Sequence, residues 1–328
     1  HTMVGQLYGP DDPRQDSGFT LYYMGINLGA FLGPLACAGL AARYGWRYGF
    51  ATGCVAMFIG LVFYLWARRD RLRGVGVPRS RGDGALRPAD RRLSPAERRR
   101  IMALGLITVF VVFFWLAYEQ AGSSLNVFAA HRTDRSAGAW IRWLVPNGEI
   151  PAAWFQSINP LCILLLAPLV ASFWQRLGKR APDSPTKMAM GLILLGLAYV
   201  VMVIGAAQGD GGSRVSPVYL VVFYAIYSLG ELCFLPVGIS FVTQTAPARL
   251  ASMLMGIWLT ANFVANLAGG YLAGMVVQIE RGEVFRILGG EADFFLIFVV
   301  SCIGAGTVLW WLVPTVNRLT QNPTDQRA

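Results

Sequence analysis

The chain has 328 residues, of which 55% are hydrophobic and only 14% charged, against about a quarter charged in an ordinary soluble domain. Its apolar residues come in blocks of 18 or more, enough to cross ~30 Å of hydrocarbon at ~1.5 Å per residue, which excludes a soluble protein and predicts an all-α polytopic membrane protein. The formal net charge of +10 does not signal nucleic acid, because twelve arginines fall in residues 68–100 with no aromatic side chain to stack on bases.

In chain order, the sequence opens on His1 in what reads as a helix end, and we expect an N-terminal segment to be missing ahead of it. Eight apolar spans follow, at roughly 18–40, 48–67, 101–129, 151–173, 188–207, 217–243, 251–278 and 293–314. Barrel strands are excluded, since those need only ~10 residues of alternating polarity. With eight spans the connecting segments alternate sides. One set (9–17, 68–100, 174–187, 244–250, 315–328) carries 20 basic and 9 acidic residues, and the other (41–47, 130–150, 208–216, 279–293) carries 8 and 7. The positive-inside rule makes the first set cytoplasmic, the C-terminal tail included. The Arg-rich segment then joins a two-span piece to a six-span piece. This resembles the basic linker between the six-helix halves of the major facilitator superfamily, a likeness that implies about four absent N-terminal helices.

The five cysteines (Cys37, Cys54, Cys162, Cys233, Cys302) all lie within spans, far apart, without metal-ligand or redox spacing, and read as small core residues. No metal and no cofactor is expected.

Two acids lie outside the loop totals, Glu119 and Glu231, each within a span. An ionisable group there costs at least ~2.5 kcal/mol on insertion scales, so each is a functional candidate, the bland alternative being a helix-end carboxylate that reaches interfacial water. Each sits on a polar stripe of helical spacing. Glu119, Ser123 and Asn126 form one line, and Tyr224, Tyr227 and Glu231 another. Span one adds Thr20, Tyr23 and Asn27, span four Gln156 and Asn159 before Pro160, and span seven Trp258, Asn262 and Asn266. The plain reading of such stripes is interhelical hydrogen bonding, worth ~0.6 kcal/mol on average. The functional reading is a wet cavity suited to a polar, cation-bearing substrate and to a proton, because desolvation raises a carboxylate pKa and a nearby cation lowers it. No intramembrane Lys or Arg stands ready to neutralise either Glu.

Several of these residues occur in longer motifs. Asp12-Pro13-Arg14 through Gly18-Phe19-Thr20-Leu21-Tyr22-Tyr23-Met24-Gly25-Ile26-Asn27-Leu28-Gly29-Ala30 resembles the fifth-helix signature of the proton-dependent oligopeptide transporter family. Phe114-Trp115-Leu116-Ala117-Tyr118-Glu119-Gln120-Ala121-Gly122-Ser123-Ser124-Leu125-Asn126 resembles its seventh helix, and Phe155-Gln156-Ser157-Ile158-Asn159-Pro160-Leu161 the start of its eighth. Gly230-Glu231-Leu232-Cys233-Phe234-Leu235-Pro236-Val237-Gly238 is similar to the tenth, and Met253-Leu254-Met255-Gly256-Ile257-Trp258 to the eleventh.

The resemblance implies a major facilitator fold that co-transports di- and tripeptides with protons by alternating access, in the inner (plasma) membrane of a bacterium and as a monomer when complete. Residues 1–67 would be a remnant of the N-terminal bundle, helices five and six of the family. Residues 68–100 would be a cytoplasmic linker, 101–314 the C-terminal six-helix bundle and 315–328 a cytoplasmic tail. It further implies that Glu231 with Asn27 and Asn159 holds the peptide ammonium, that Tyr23, Gln156 and Tyr227 line the substrate site, and that Trp258 walls a side-chain pocket. Glu119 and Glu231 would take part in proton coupling, Glu119 through a salt bridge with a first-helix Arg. The family's first-helix motif of two Glu and an Arg and its fourth-helix Lys have no counterpart here. Leu235 stands where the tenth-helix motif usually has Ser, and the 68–100 segment has no apolar run to supply the extra helix pair of many bacterial members.

An enzyme is disfavoured. The two histidines, His1 and His131, lie outside the depth of any span, and no Lys or His stands by Ser123 and Ser124 as a base. Gly269-Gly270 and Gly289-Gly290 lack the strand and Lys of a phosphate loop. The rival functional class is a non-transporting membrane receptor or assembly protein on the same fold.

Overall fold

A computed structural model describes residues 15–70, 72, 93–138, 141, 145, 148–209, 213–247 and 250–320, with only the backbone of 15–17, 19–20, 70, 179 and 251–252. The Arg-rich stretch 73–92, the tail beyond 320 and the side chain of Thr20 lie outside this description. The regular secondary structure of the described residues is helical, apart from two isolated backbone bridges. The helices are α1 (Gln15–Tyr44), α2 (Trp46–Asp70), α3 (Pro95–Tyr118), α4 (Ser124–His131), α5 (Ile158–Leu177), α6 (Ser184–Gly209), α7 (Val218–Thr245), α8 (Ala251–Gly274), α9 (Val276–Glu280) and α10 (Glu291–Thr320). Among the described residues, eight helical segments are long and apolar enough to cross a membrane, one for each span read from hydropathy.

Helix ends are set by local chemistry that hydropathy does not register. α1 and α2 run closer together than the expected loop 41–47, because Gly45 adopts φ +97°, a left-handed conformation that glycine reaches without cost, and donates its N–H to Ala41 O. α3 starts six residues before the apolar run. Ser94 Oγ accepts from Glu97 N at 3.2 Å, Glu97 Oε2 accepts from Ser94 N at 2.8 Å, and Pro95 fills the first turn. Arg98, Arg99 and Arg100 are therefore helical.

Two spans read as single helices are interrupted. The line Glu119, Ser123, Asn126 presupposes an unbroken helix over 101–129, but α3 ends at Tyr118, a 3₁₀ turn occupies Glu119–Gly122, and Ser123 leaves helical geometry at φ −117°, ψ −96°. These three residues thus do not form one continuous helical stripe. The cause is legible in the turn itself, where Gly122, Ser123 and Ser124 offer backbone freedom and competing side-chain hydrogen bonds. Span seven breaks at Met275 between α8 and α9.

The described residues fall into two compact units, those within 1–92 and 136–164, and those within 93–135 and 165–328. In the first, α1 packs on α2 and on the 3₁₀ helix Ala152–Ser157. Trp154 Nε1 donates to Leu35 O at 3.1 Å and Ser157 Oγ to Phe31 O at 2.8 Å, gripping α1 on either side of Pro34, which has no N–H to offer. α2 exposes Phe50, Phe58, Phe63 and Trp66, as befits a helix in apolar surroundings.

In the second unit α6 lies between α7 and α10, and α3 packs on α8 and α10. Lipid is as apolar as leucine, so close packing rather than water exclusion holds such helices together. Small residues allow it. A Cβ built on Gly191 would stand 2.8 Å from Gly230 O, and one on Gly230 would stand 2.9 Å from Gly191 O. Gly196 meets Ile303 in the same way, and Gly306 meets Ile193. Phe114, Tyr199, Phe223, Phe234, Phe294, Phe295 and Phe298 fill the buried interior.

Candidate functional site

In the second unit the Gly191–Gly230 contact sets the rotation of α7, with Gly230 against α6 and the next residue, Glu231, about 100° around the helix. Tyr227 and Phe234, one turn to either side of Glu231, both face α3. The Tyr227 ring stacks on Tyr118 with centroids 5.0 Å apart, and the Phe234 ring on Phe114 at 4.1 Å with parallel planes. Glu231 is therefore buried, 6% exposed, on the α7 face that meets α3, and Glu119 directly follows the α3 segment it meets. Both carboxylates flank one aromatic-lined helix contact. Tyr224 and Tyr227 are buried on α7 as the stripe predicts.

At the end of α3, where the α-helical ladder gives way to the 3₁₀ turn, four successive carbonyls each receive a side-chain donor. Gln120 Nε2 donates to Leu116 O at 3.2 Å, Tyr199 Oη to Ala117 O at 2.7 Å, Tyr227 Oη to Tyr118 O at 3.0 Å, and Ser123 Oγ to Glu119 O at 3.4 Å. Gln120 is buried, and its Oε1 accepts from Ser124 Oγ at 2.8 Å. Gly269 on α8 leaves room for this amide, since a Cβ there would lie 3.1 Å from Gln120 Nε2. Gln120 and Tyr199 were missed as site residues. Gln120 adjoins Glu119 off the chosen stripe, and Tyr199 is a lone hydroxyl in an otherwise apolar span.

Trp258 on α8 is 3% exposed and abuts Gly238, where a Cβ would come within 2.6 Å of the indole. Its stripe partners are otherwise engaged, with Asn266 Nδ2 donating to Asn262 Oδ1 at 2.9 Å along the same helix and Asn266 exposed. Near the other end of the unit Arg132, the cap residue of α4, pairs with Glu280 and, at 3.2 Å, with Glu291. This cation adjoins a span end, within the connecting segment 130–150.

In the first unit Asn27 is buried at 6% exposure and donates through Nδ2 to Tyr23 O at 3.0 Å, which engages its amino group and not its carbonyl oxygen. Tyr23 is about one-third exposed. Trp154 and Ser157, three apart in the 3₁₀ helix, grip α1, so Gln156 and Asn159, also three apart, share a neighbouring face, and both are half-buried. Among the described residues no group of three or more His, Cys, Asp or Glu is arranged to hold a metal.

Eight membrane-length helices among the described residues, with the carboxylate Glu231 buried on an aromatic helix face, form the fold of the major facilitator transporters, which solved structures share. A peptide transporter in complex with alafosfalin superposes with a TM-score of 0.81 at 30% identity, covering 98% of this chain and 71% of that one. A POT family transporter in complex with a thioalcohol-conjugated peptide gives 0.81 at 25% identity over 96% and 72%. Residues 1–70 and 87–287 match the profile of the POT family, and the chain belongs to that family. Among its relatives are the peptide transporter YePEPT of Yersinia enterocolitica, 31% identical over 99% of this chain and 73% of that protein, and the uncharacterized transporter YclF of Bacillus subtilis, 32% identical over 97% and 70%. The dipeptide and tripeptide permease A of Escherichia coli is 25% identical over all of this chain and 72% of its own length.

Proposed function

We propose that this protein carries di- and tripeptides across the membrane together with protons, by alternating access. The observation that carries the reading is Glu231, a carboxylate buried on an aromatic helix face in a chain of the POT family. A peptide ammonium offers such a carboxylate both a charge and hydrogen-bond donors. Asn27 and Asn159 carry amide oxygens of the kind that accept from an ammonium, and Tyr23 and Gln156 stand beside them in sequence. Trp258 presents a flat apolar wall for a peptide side chain. Glu119 and Glu231 take up and release the proton as their partners exchange. Residues 101–314 act as one half of the transporter, with 68–100 and 315–328 on the cytoplasmic side.

Glu231→Gln tests this directly in the protein expressed from its own gene, because it keeps size and hydrogen bonding while removing the charge. Dipeptide uptake is expected to fall at least about tenfold with expression intact, since breaking a buried ion pair costs ~3–5 kcal/mol. A dipeptide analogue whose amine is replaced by a neutral group should bind wild type weakly and be nearly indifferent to the substitution. Additive losses would separate Glu231 from the amine and overturn its assignment.

A further inference from the structure

The interruption of the third span is more than a kink, because its backbone is fully provided for. Of the four carbonyls that take side-chain donors there, two are met locally by Gln120 and Ser123, and two by hydroxyls from other helices, Tyr199 of α6 and Tyr227 of α7. Those two phenols tie the change from α to 3₁₀ geometry to helices outside its own sequence. Tyr199 is an anchor. It is fully buried, its ring packs on Phe223 and Phe298, and α6 is locked to α7 and α10 through Gly191, Gly196 and the partner Gly306. Tyr227 is a link. It lies one turn from Glu231 on α7, and its hydroxyl holds the carbonyl of the residue that precedes Glu119.

We propose that Tyr199 and Tyr227 are positioning residues for transport: they fix the broken backbone at Glu119–Ser123, and Tyr227 ties the backbone that carries Glu119 to the helix that carries Glu231. This rests on the transport reading above. It gives Tyr227 a role other than contact with substrate, since its hydroxyl is engaged and its ring is enclosed by Tyr118, Phe223 and Tyr224. Movement of α7 during partner exchange at Glu231 is thereby passed to the peptide unit beside Glu119 through one hydrogen bond and one ring stack.

The test uses Tyr199→Phe and Tyr227→Phe, which retain the ring contacts and remove one hydroxyl each, with Tyr219→Phe as control because that hydroxyl bonds Gln208 outside the break. Hydrogen exchange of the protein in nanodiscs reads the break directly. Both variants should raise exchange of the amides of 119–126 by about tenfold and leave α6 unchanged, and the control should match wild type. In proteoliposomes, proton-driven dipeptide uptake by Tyr227→Phe should fall about tenfold in maximal rate with KM within about twofold, while peptide counterflow at equal pH falls far less. Unchanged exchange at 119–126 in both variants would overturn the proposal. Driven uptake and counterflow falling together would overturn the link to Glu231. Failure of wild type to take up peptide would defeat the transport reading alone, because the exchange measurement judges the tyrosines without it.

Discussion

Single residues in this chain act through what they permit or supply to a neighbouring helix. Gly191 and Gly230 illustrate the first. Gly191→Ala would place a methyl group 2.8 Å from a backbone carbonyl that cannot swing away, so α6 and α7 must separate. We expect a destabilisation of about 1–3 kcal/mol, read as a lower melting temperature in detergent, whereas Gly105→Ala, which meets nothing within 4 Å, should be neutral or stabilising by up to about 1 kcal/mol. Equal melting temperatures for the two variants would contradict the close approach that orients Glu231. A carboxylate such as Glu231, which is buried, was legible as a candidate because charge is rare inside spans. The tyrosine caps and the Gln120 amide were not, because a donor becomes a cap only when the facing helix brings a carbonyl to it.

At the scale of elements, all eight spans were legible from hydropathy, and their ends and interruptions were not. The start of α3 is dictated by Ser94, Pro95 and Glu97, the α1–α2 turn by Gly45, and the break after Tyr118 by a Gly-Ser-Ser run whose meaning depends on Tyr199 and Tyr227. Asp183 shows a similar dependence at the start of α6. Its Oδ1 accepts from Thr186 N at 2.9 Å, and Asn317 near the end of α10 donates to its other oxygen. Burial alone would push the Asp183 carboxyl up, but hydrogen bonds from Thr186 and Asn317 and the charge of Lys187 outweigh it and hold the group below its ordinary value. A carboxyl depressed in the folded state stabilises fully above its unfolded pKa of ~3.9 and loses that contribution as pH falls through the lower folded value. Thermal melts should therefore show wild type losing stability from pH 5 down to pH 2–3 by more than Asp183→Asn does. Asp183→Ala should cost about 0.5–2 kcal/mol at pH 7 for the lost cap. Parallel acid profiles for wild type and Asp183→Asn would remove Asp183 from this role.

For the whole molecule, the fold class and the family were legible because five motifs follow one another in family order, each within one span. The grouping of 136–164 with the first two helices was not, since it rests on Trp154 and Ser157 reaching backbone carbonyls of α1. Charge distribution predicts orientation. A cysteine placed by Ser80→Cys in the Arg-rich segment should react with an impermeant thiol reagent only after cells are opened, and reaction in intact cells would reverse every loop. The coupling of peptide to proton is the central claim, and one measurement addresses it most directly. Proteoliposomes holding the protein expressed from its own gene, loaded with a pH-sensitive dye, receive an external dipeptide under an inwardly negative potential. Peptide addition is expected to acidify the lumen, an amine-blocked dipeptide is expected to leave it unchanged, and Glu231→Gln should abolish the response. Peptide binding with no acidification by wild type would contradict proton-coupled transport and favour a receptor built on the same fold.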